Sequence, residues 1–410
     1  MTHTVRVVFS GRMLVALLMG FSSGLPLLLT GSVLQAWMTD EGVDLGTIGL
    51  FALVGLPYTL KFLWAPLVDR FSLPLLGRRR GWLLLVQACL MLAIAALGWT
   101  HPAQNALPVA LAALLVTFFS ASQDIVIDAY RREALADREL GLGASLYVNG
   151  YRTGMLLASG GGLILADFIP FPQVYQLMAM VMLVGIGTTL FAPEPQAAQG
   201  LPTTLREAVI HPFVDYFRRH HAWLILLFIL LFKVGDTMAS HMTVPFYLDL
   251  GFSKTEIGAV VKVFGFSAIL VGGLVGGIVM LRIGIYRALW GFGILQAVST
   301  AGFALLAVTG YSLPMLTAVI AFENFSGGMG TSAFVAFMAS LTNRRFTATQ
   351  YALLSSLMGI PRVIVAAPTG YMAEGLGWVG FFVFCTLIAI PGLLLLTRFR
   401  GWLTEADRVD

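Results

Sequence analysis

Asp124 and Arg152 lie inside long apolar stretches of this 410-residue chain, as do Lys61, Asp128, Lys233, Asp236, Glu323 and Arg362. An ionised side chain at the centre of a bilayer costs roughly 2.5 to 3.5 kcal/mol, so such residues mark substrate paths or proton relays by default. Their types divide by chemistry. A carboxylate in low dielectric can take up and release a proton, because burial penalises its charged form. A guanidinium keeps its charge and forms paired hydrogen bonds to carboxylate or phosphate, which suits it to an anionic cargo.

Asp124 and Asp128 stand four apart and share one helical face with Ser120. Asp128 is within helical reach of Arg131 and Arg132, so a structural pair competes with a gate role. Asp124, one turn deeper, has no opposite charge near it in its own helix. Proton coupling and a pair with a cation on another helix both stay open. Glu323, followed by Asn324, is the second proton candidate. Lys233 and Asp236 are three apart and can neutralise each other; the functional alternative gives Asp236 to proton coupling and Lys233 to substrate. Arg152 and Arg362 fit an anionic substrate, against the alternative of pairing with Asp124 or Glu323. Tyr58 and Tyr151, near these charges, offer ring faces for sugars or cations.

These groups need a scaffold that crosses lipid. With 58% hydrophobic and 11% charged residues, the chain cannot fold around one soluble core without large exposed apolar patches. Runs of the ~20 residues needed to cross ~30 Å as helix recur about twelve times. They cover 12–38, 47–70, 81–100, 107–130, 141–168, 171–192, 221–250, 254–280, 286–308, 313–340, 347–373 and 378–398. The runs lack the period-2 alternation of a membrane β-barrel. The first is too long for a signal-peptide core and reads as a retained helix. Basic residues crowd the N-terminus, the even-numbered gaps, the central linker and the C-terminus, while only Lys254 falls in an odd-numbered gap. Both termini are therefore expected in the cytoplasm.

The expected fold is an all-α polytopic membrane protein with twelve transmembrane helices in two six-helix pseudo-repeats. The longest polar stretch separates bundles at 1–192 and 221–410 by a cytoplasmic linker at 193–220. Gly42-Val43-Asp44 to Ile48-Gly49 recurs as Gly251-Phe252-Ser253 to Ile257-Gly258, and Arg152 recurs as Arg362. Parallel repeats of this kind belong to carriers that rock two bundles around a central site. Asp44 is a candidate helix cap, and Ser253 to Glu256 forms a capping box. Gly150, Gly154, Ala158 and Gly162 give the fifth span a smooth face for a closely packed neighbour.

Other function classes fit poorly. A pI near 9.1 comes without any Lys/Arg cluster longer than three, so no nucleic-acid partner is expected. Cys89 and Cys385 sit in apolar runs, which is neither a disulfide framework nor a metal site. The chain has no His-Glu-x-x-His, P-loop or Gly-x-Ser-x-Gly pattern, so it is read as no enzyme. Its energy is expected from a proton gradient, without a cofactor.

Between the second and third spans, Asp69-Arg70 followed by Gly77-Arg78-Arg79-Arg80 resembles the major facilitator superfamily loop in which Asp-Arg and Gly-Arg-Arg flank a tight turn, here with Phe71 to Leu76 inserted. Gly20-Phe21-Ser22-Ser23-Gly24-Leu25-Pro26, Leu34-Gln35-Ala36-Trp37-Met38, Lys61-Phe62-Leu63-Trp64-Ala65-Pro66, Gly77 to Trp82 and Ser120-Ala121-Ser122-Gln123-Asp124 resemble the AmpG muropeptide permeases. That resemblance implies import of GlcNAc-anhydromuramyl peptides by proton symport for cell-wall recycling, which also feeds β-lactamase induction in bacteria that have it. It implies an inner gate at Asp69, with Arg70 and Asp128 grouped there, and a central cavity lined by Lys61, Asp124 and Arg152. The expected partners are an anionic sugar-peptide and the lipid bilayer, with the chain acting as a monomer. The same branch holds siderophore importers, so a ferric chelate is the alternative cargo. A membrane sensor or scaffold that moves nothing is the alternative of another class.

Overall fold

The computed structural model describes residues 7–73, 76–196, 202, 204–219, 221–359 and 368–399, and within them every regular element is a helix. Among the described residues, eight helical runs are long and apolar enough to cross a membrane. One of them, Ile257–Thr309, is two spans joined at Gly284, whose φ of 76° turns the chain. Gly377, at φ 67°, likewise divides Thr369–Leu387. Both conformations come without steric penalty only for a residue lacking Cβ. The helices Leu313–Ser340 and Leu140–Leu156 occupy two further expected spans. Their polar residues, Glu323 with Asn324 and Asn149 with Arg152, lower their hydropathy.

The expected span 47–70 is not one helix. It runs as Leu45–Leu50, a 3₁₀ turn Phe51–Gly55, Leu56–Leu60, a second 3₁₀ turn Lys61–Leu63, and Ala65–Arg70. Pro57 and Pro66 stand in the first turns of two of these pieces, where their missing N–H breaks the ladder least. Irregular backbone at membrane depth is tolerated where it is covered by protein or lines a wet space. This broken stretch carries Tyr58 and Lys61.

The described chain forms two compact units. The first comprises Met1–Ala136, Leu146–Asp215 and Leu341–Ser356; the second comprises Asp137–Ser145, Tyr216–Ser340 and Leu357–Asp410. Relative to sequence halves at 1–192 and 221–410, two short segments are exchanged. Leu341–Ser356 joins the first unit because the Asp69 carboxylate accepts from the backbone N–H of Ala348 (3.2 Å) and Thr349 (2.8 Å) and from the Thr349 hydroxyl (2.8 Å). Asp137–Ser145 joins the second, where the Ser145 hydroxyl donates to the Gly273 carbonyl and Gly141 packs on Met280.

In the first unit, helix Gly11–Leu29 lies backbone to backbone on Leu140–Leu156. A Cβ on Gly20 or Gly24 would stand 2.1 or 2.0 Å from the carbonyl oxygens of Tyr147 or Tyr151. One on Gly150 or Gly154 would stand 2.0 or 2.2 Å from those of Leu17 or Phe21. The smooth face read from the fifth span is therefore met by a second glycine pair, and their contact sets Ser23 against Tyr147. In the second unit Gly272 and Gly328 play similar parts, with a Cβ on either meeting backbone oxygen of Phe325 or Ile269 at 2.1 or 2.3 Å.

Candidate functional site

The first unit holds a buried carboxylate dressed by hydroxyls. Asp124 accepts from the Ser23 hydroxyl, and Ser23 is also 3.0 Å from the Tyr147 hydroxyl. One turn away, Tyr58 donates to Ser120 at 2.9 Å and the Trp64 indole donates to Ser122 at 3.0 Å. Ser22 and Gln123 bond reciprocally, side chain to side chain at 3.0 Å and amide to the Ser22 carbonyl at 3.1 Å. Lys61 is only 7% exposed, yet among the described residues it makes no hydrogen bond or contact ion pair. It acts on Asp124 and Asp128 electrostatically, across a gap. An ammonium held so is available to a ligand anion.

Asp128 is not left in that cluster alone. It takes a 3.0 Å ion pair from Arg131, which also donates to the Tyr351 hydroxyl at 2.9 Å and lies 4.5 Å above the Tyr147 ring. The near neighbour in its own helix is thus its partner. Tyr151 stands 6.2 Å from Tyr147, ring to ring. Arg152 is half-buried on that same helix and engaged with neighbours. Arg362 lies outside the described residues.

The second unit holds two carboxylates and one ammonium. Lys233 contacts Asp236 at 3.1 Å and the Gln296 amide oxygen at 3.4 Å. Glu323 accepts from Ser299 at 2.6 Å and interacts with both Asp236 and Lys233. With all three ionised the cluster carries one uncompensated negative charge. A single proton neutralises it.

At the loop between the second and third spans, Asp69 is buried with Arg79 at 3.0 Å and Arg78 at 3.3 Å. Glu133 completes the cluster, with both oxygens on Arg79 at 2.5 and 3.0 Å. Two cations balance two anions. Asp69 also faces the N–H groups that open helix Thr347–Leu357, where a negative charge is favoured. Arg70, grouped with Asp69 by sequence adjacency, instead lies over the Phe71 ring at 5.4 Å; Arg78 and Arg79 stand beside the carboxylate.

Sequence reasoning passed over several of these partners. Ser23, Ser299 and Gln296 are uncharged residues within apolar runs, so only the pairing of helices reveals what they bond. Glu194 was equally silent: its carboxylate accepts from the backbone N–H of Arg79 at 2.7 Å and Arg80 at 3.0 Å, capping a helix more than a hundred positions away in the chain. The Gly77 that precedes this helix, at φ 94°, hinted at a special turn without naming its partner.

The profile of the Major Facilitator Superfamily matches residues 13–366. The chain is 48% identical over 408 residues to a protein of Escherichia coli K12 named anhydromuropeptide permease, covering 99% of this chain and 83% of that one. It is 34% identical over 404 residues to "putative transporter AmpG 1" of Rickettsia bellii, covering 95% and 98%. Among solved structures, the E. coli fucose:proton symporter superposes with a TM-score of 0.74 at 10% identity, covering 96% of this chain and 99% of that one. The proton:xylose symporter XylE gives 0.68 at 10% identity, covering 98% and 96%. At those identities the superpositions speak for the fold alone. All-helical among the described residues, with relatives that are permeases and not enzymes, the chain belongs to the Major Facilitator Superfamily, in its AmpG-like branch.

Proposed function

We propose that this multi-pass protein imports anhydromuropeptides across the bacterial inner membrane by proton symport, for cell-wall recycling. The observation that carries the cargo is the 48% identity to the E. coli permease over nearly the whole chain. The chemistry of the first cluster supports a coupling route. Lys61 is a buried ammonium acting on Asp124 across a gap, so a proton on Asp124 removes the negative charge that competes with a substrate carboxylate for Lys61. Proton and anionic cargo then favour each other's binding, as symport requires. Tyr58, Tyr151 and Arg152 serve the sugar rings and peptide carboxylates, with Lys233 and Arg362 as their counterparts in the second half.

Asp236 and Glu323 form a second proton-holding group. One proton moving down the membrane potential supplies about 2.3 kcal/mol per 100 mV, and each negative charge on the cargo offsets the same amount of that electrical drive. No cofactor enters this scheme. Asp69, grouped with Arg70 and Asp128, serves as an inner gate whose release frees the start of helix Thr347–Leu357.

Proteoliposomes containing the purified protein, given labelled GlcNAc-anhydromuramyl tripeptide and an inward proton gradient, should accumulate it, and an uncoupler should abolish accumulation. Uptake of a ferric siderophore in place of the muropeptide would replace the cargo. Binding of muropeptide with no uptake would replace transport by sensing.

A further inference from the structure

The helix Leu205–Phe217, in the linker between the halves, has a surface the transport scheme does not use. Residues three and four apart share a helical face. Ala208, Pro212 and Tyr216 form one buried strip. Round the helix from them, Val209, Ile210, Val214 and Phe217 are each between 38% and 46% exposed. Glu207, His211 and Asp215 occupy the remaining arc. An apolar arc of four side chains, running about two and a half turns from Val209 to Phe217, is costly to leave in water on a polar connecting segment.

Two observations say what covers it. The first is charge. Arg206 is exposed within the apolar arc at the start of the helix, and Arg218 is exposed just past its end. A helix with an apolar stripe and an arginine at each end fits a segment that lies in an anionic membrane surface. The second is continuity. The Phe217 ring packs on Trp223 at 4.8 Å. Trp223, 72% exposed, stands in the first turn of Ala222–Leu231, part of the membrane run Ala222–Asp249. Tryptophan at the end of a span marks the headgroup level. The apolar arc therefore runs on into a lipid-facing surface, at the depth where headgroups begin.

We infer that Leu205–Phe217 is an interfacial helix, lying along the membrane surface with Val209, Ile210, Val214 and Phe217 in the lipid and Arg206 and Arg218 on anionic headgroups. The inference stands whichever cargo is carried. An arginine brought to an anionic surface strengthens binding about fivefold, the equivalent of ~1 kcal/mol.

The test uses the full-length transporter with Cys89 and Cys385 replaced by alanine and one new cysteine, at Val209, Val214 or His211, carrying an environment-sensitive fluorophore. Each is placed in nanodiscs of phosphatidylcholine alone or with phosphatidylglycerol, with and without lipids spin-labelled near the headgroup. Labels at Val209 and Val214 should shift to the blue and lose intensity to the spin-labelled lipid, while the label at His211 should not. The loss should deepen with phosphatidylglycerol, and Arg206→Glu with Arg218→Glu should remove that added loss. Quenching of Val209 and Val214 by aqueous iodide and not by lipid would overturn the inference. So would protection from both, which would put protein on this face. Quenching indifferent to phosphatidylglycerol would overturn the part assigned to anionic lipid.

Discussion

The two units bury charge in opposite ways. In the first, Asp124 bonds Ser23, and its cation, Lys61, stays at a distance without a contact partner among the described residues. In the second, Lys233 is locked on Asp236 at 3.1 Å and a further carboxylate, Glu323, is held by Ser299 at 2.6 Å. The arrangement with its ammonium unclaimed suits a ligand anion; the one with a contact pair and a surplus carboxylate suits a proton. The largest expected effect tests that division. Asp124→Asn and Glu323→Gln should each abolish accumulation against a gradient while sparing downhill exchange of labelled cargo. They should differ in apparent affinity. Asp124→Asn removes the charge opposing an anion at Lys61 and should lower KM for exchange roughly tenfold, on the scale of one charge acting at ~10 Å in an effective dielectric near 20. Glu323→Gln should leave KM unchanged, and equal KM shifts in both would break the comparison.

Stability should separate the units next. Lys233→Met strips the cation from two neighbouring carboxylates. Losing one partner of a fully buried pair costs about 3 to 5 kcal/mol. Lys233 and Asp236 keep 16% and 29% exposure of their side chains, so about 2 kcal/mol is the expected loss, seen as a lower melting temperature in detergent. Lys233→Met with Asp236→Leu should recover most of it. Lys61→Met leaves Asp124 with its Ser23 donor and breaks no contact pair, so about 1 kcal/mol or less is expected. A Lys61 variant melting as low as the Lys233 variant would mean that the gap between Lys61 and Asp124 is closed in the folded protein.

How far these clusters could be foreseen depends on what kind of residue makes them. Charge in an apolar run is conspicuous, so Asp124, Lys61, Lys233, Asp236 and Glu323 were identifiable from order and type alone. Pairs within one helix follow from spacing, and Asp128–Arg131 and Lys233–Asp236 form as their three-residue separation allows. Pairs across helices do not. Nothing local joins Asp69 to Thr349, Arg79 to Glu133 or Glu194 to the start of Arg78–Gly98, because helix rotation and register decide those contacts. The breaks at Lys61–Leu63 and the 3₁₀ turn before it were hidden for another reason: Pro57 and Pro66 mark places where a ladder weakens, while tertiary contacts decide how the chain answers.

Helix approach offers a third, smaller contrast. In the first unit four glycines, two per helix, hold Gly11–Leu29 against Leu140–Leu156, and the same seam carries Ser23 to Asp124. Gly24→Ala would drive a methyl into the Tyr151 carbonyl, 2.0 Å away. Overpacking of this kind costs about 1 to 3 kcal/mol, and the parting of the helices should loosen the Ser23–Asp124 bond, so coupled uptake should fall more than stability. Gly328→Ala, at 2.3 Å from the Ile269 carbonyl, should destabilise by a similar amount with less effect on uptake. Gly49→Ala meets nothing within 4 Å and serves as the neutral control. Equal uptake losses for Gly24→Ala and Gly328→Ala would detach the seam from the site.

The smallest effect lies at the two turns around Asp44 and Glu256, where each unit holds a carboxylate at a helix start. Asp44 accepts from the Thr47 N–H at 2.9 Å, and hydrogen bonding from Thr47 holds its carboxyl below the ordinary value. Glu256 accepts from Tyr311 at 2.5 Å and from Ser253 in a reciprocal box, so Tyr311 first and Ser253 second hold it below its ordinary value. A carboxyl depressed on folding contributes stability that is fully present above its unfolded value and is lost as the pH falls through the folded value. Both caps should therefore weaken on acidification, each over a window reaching from its ordinary value downward. Because Glu256 gains a phenol that Asp44 lacks, Tyr311→Phe should shrink the loss of melting temperature between pH 6 and the acid limit of folding, whereas Asp44→Asn should change it less. A larger change for Asp44→Asn would show that the Thr47 cap, and not the box with its tyrosine, is the firmer of the two turns.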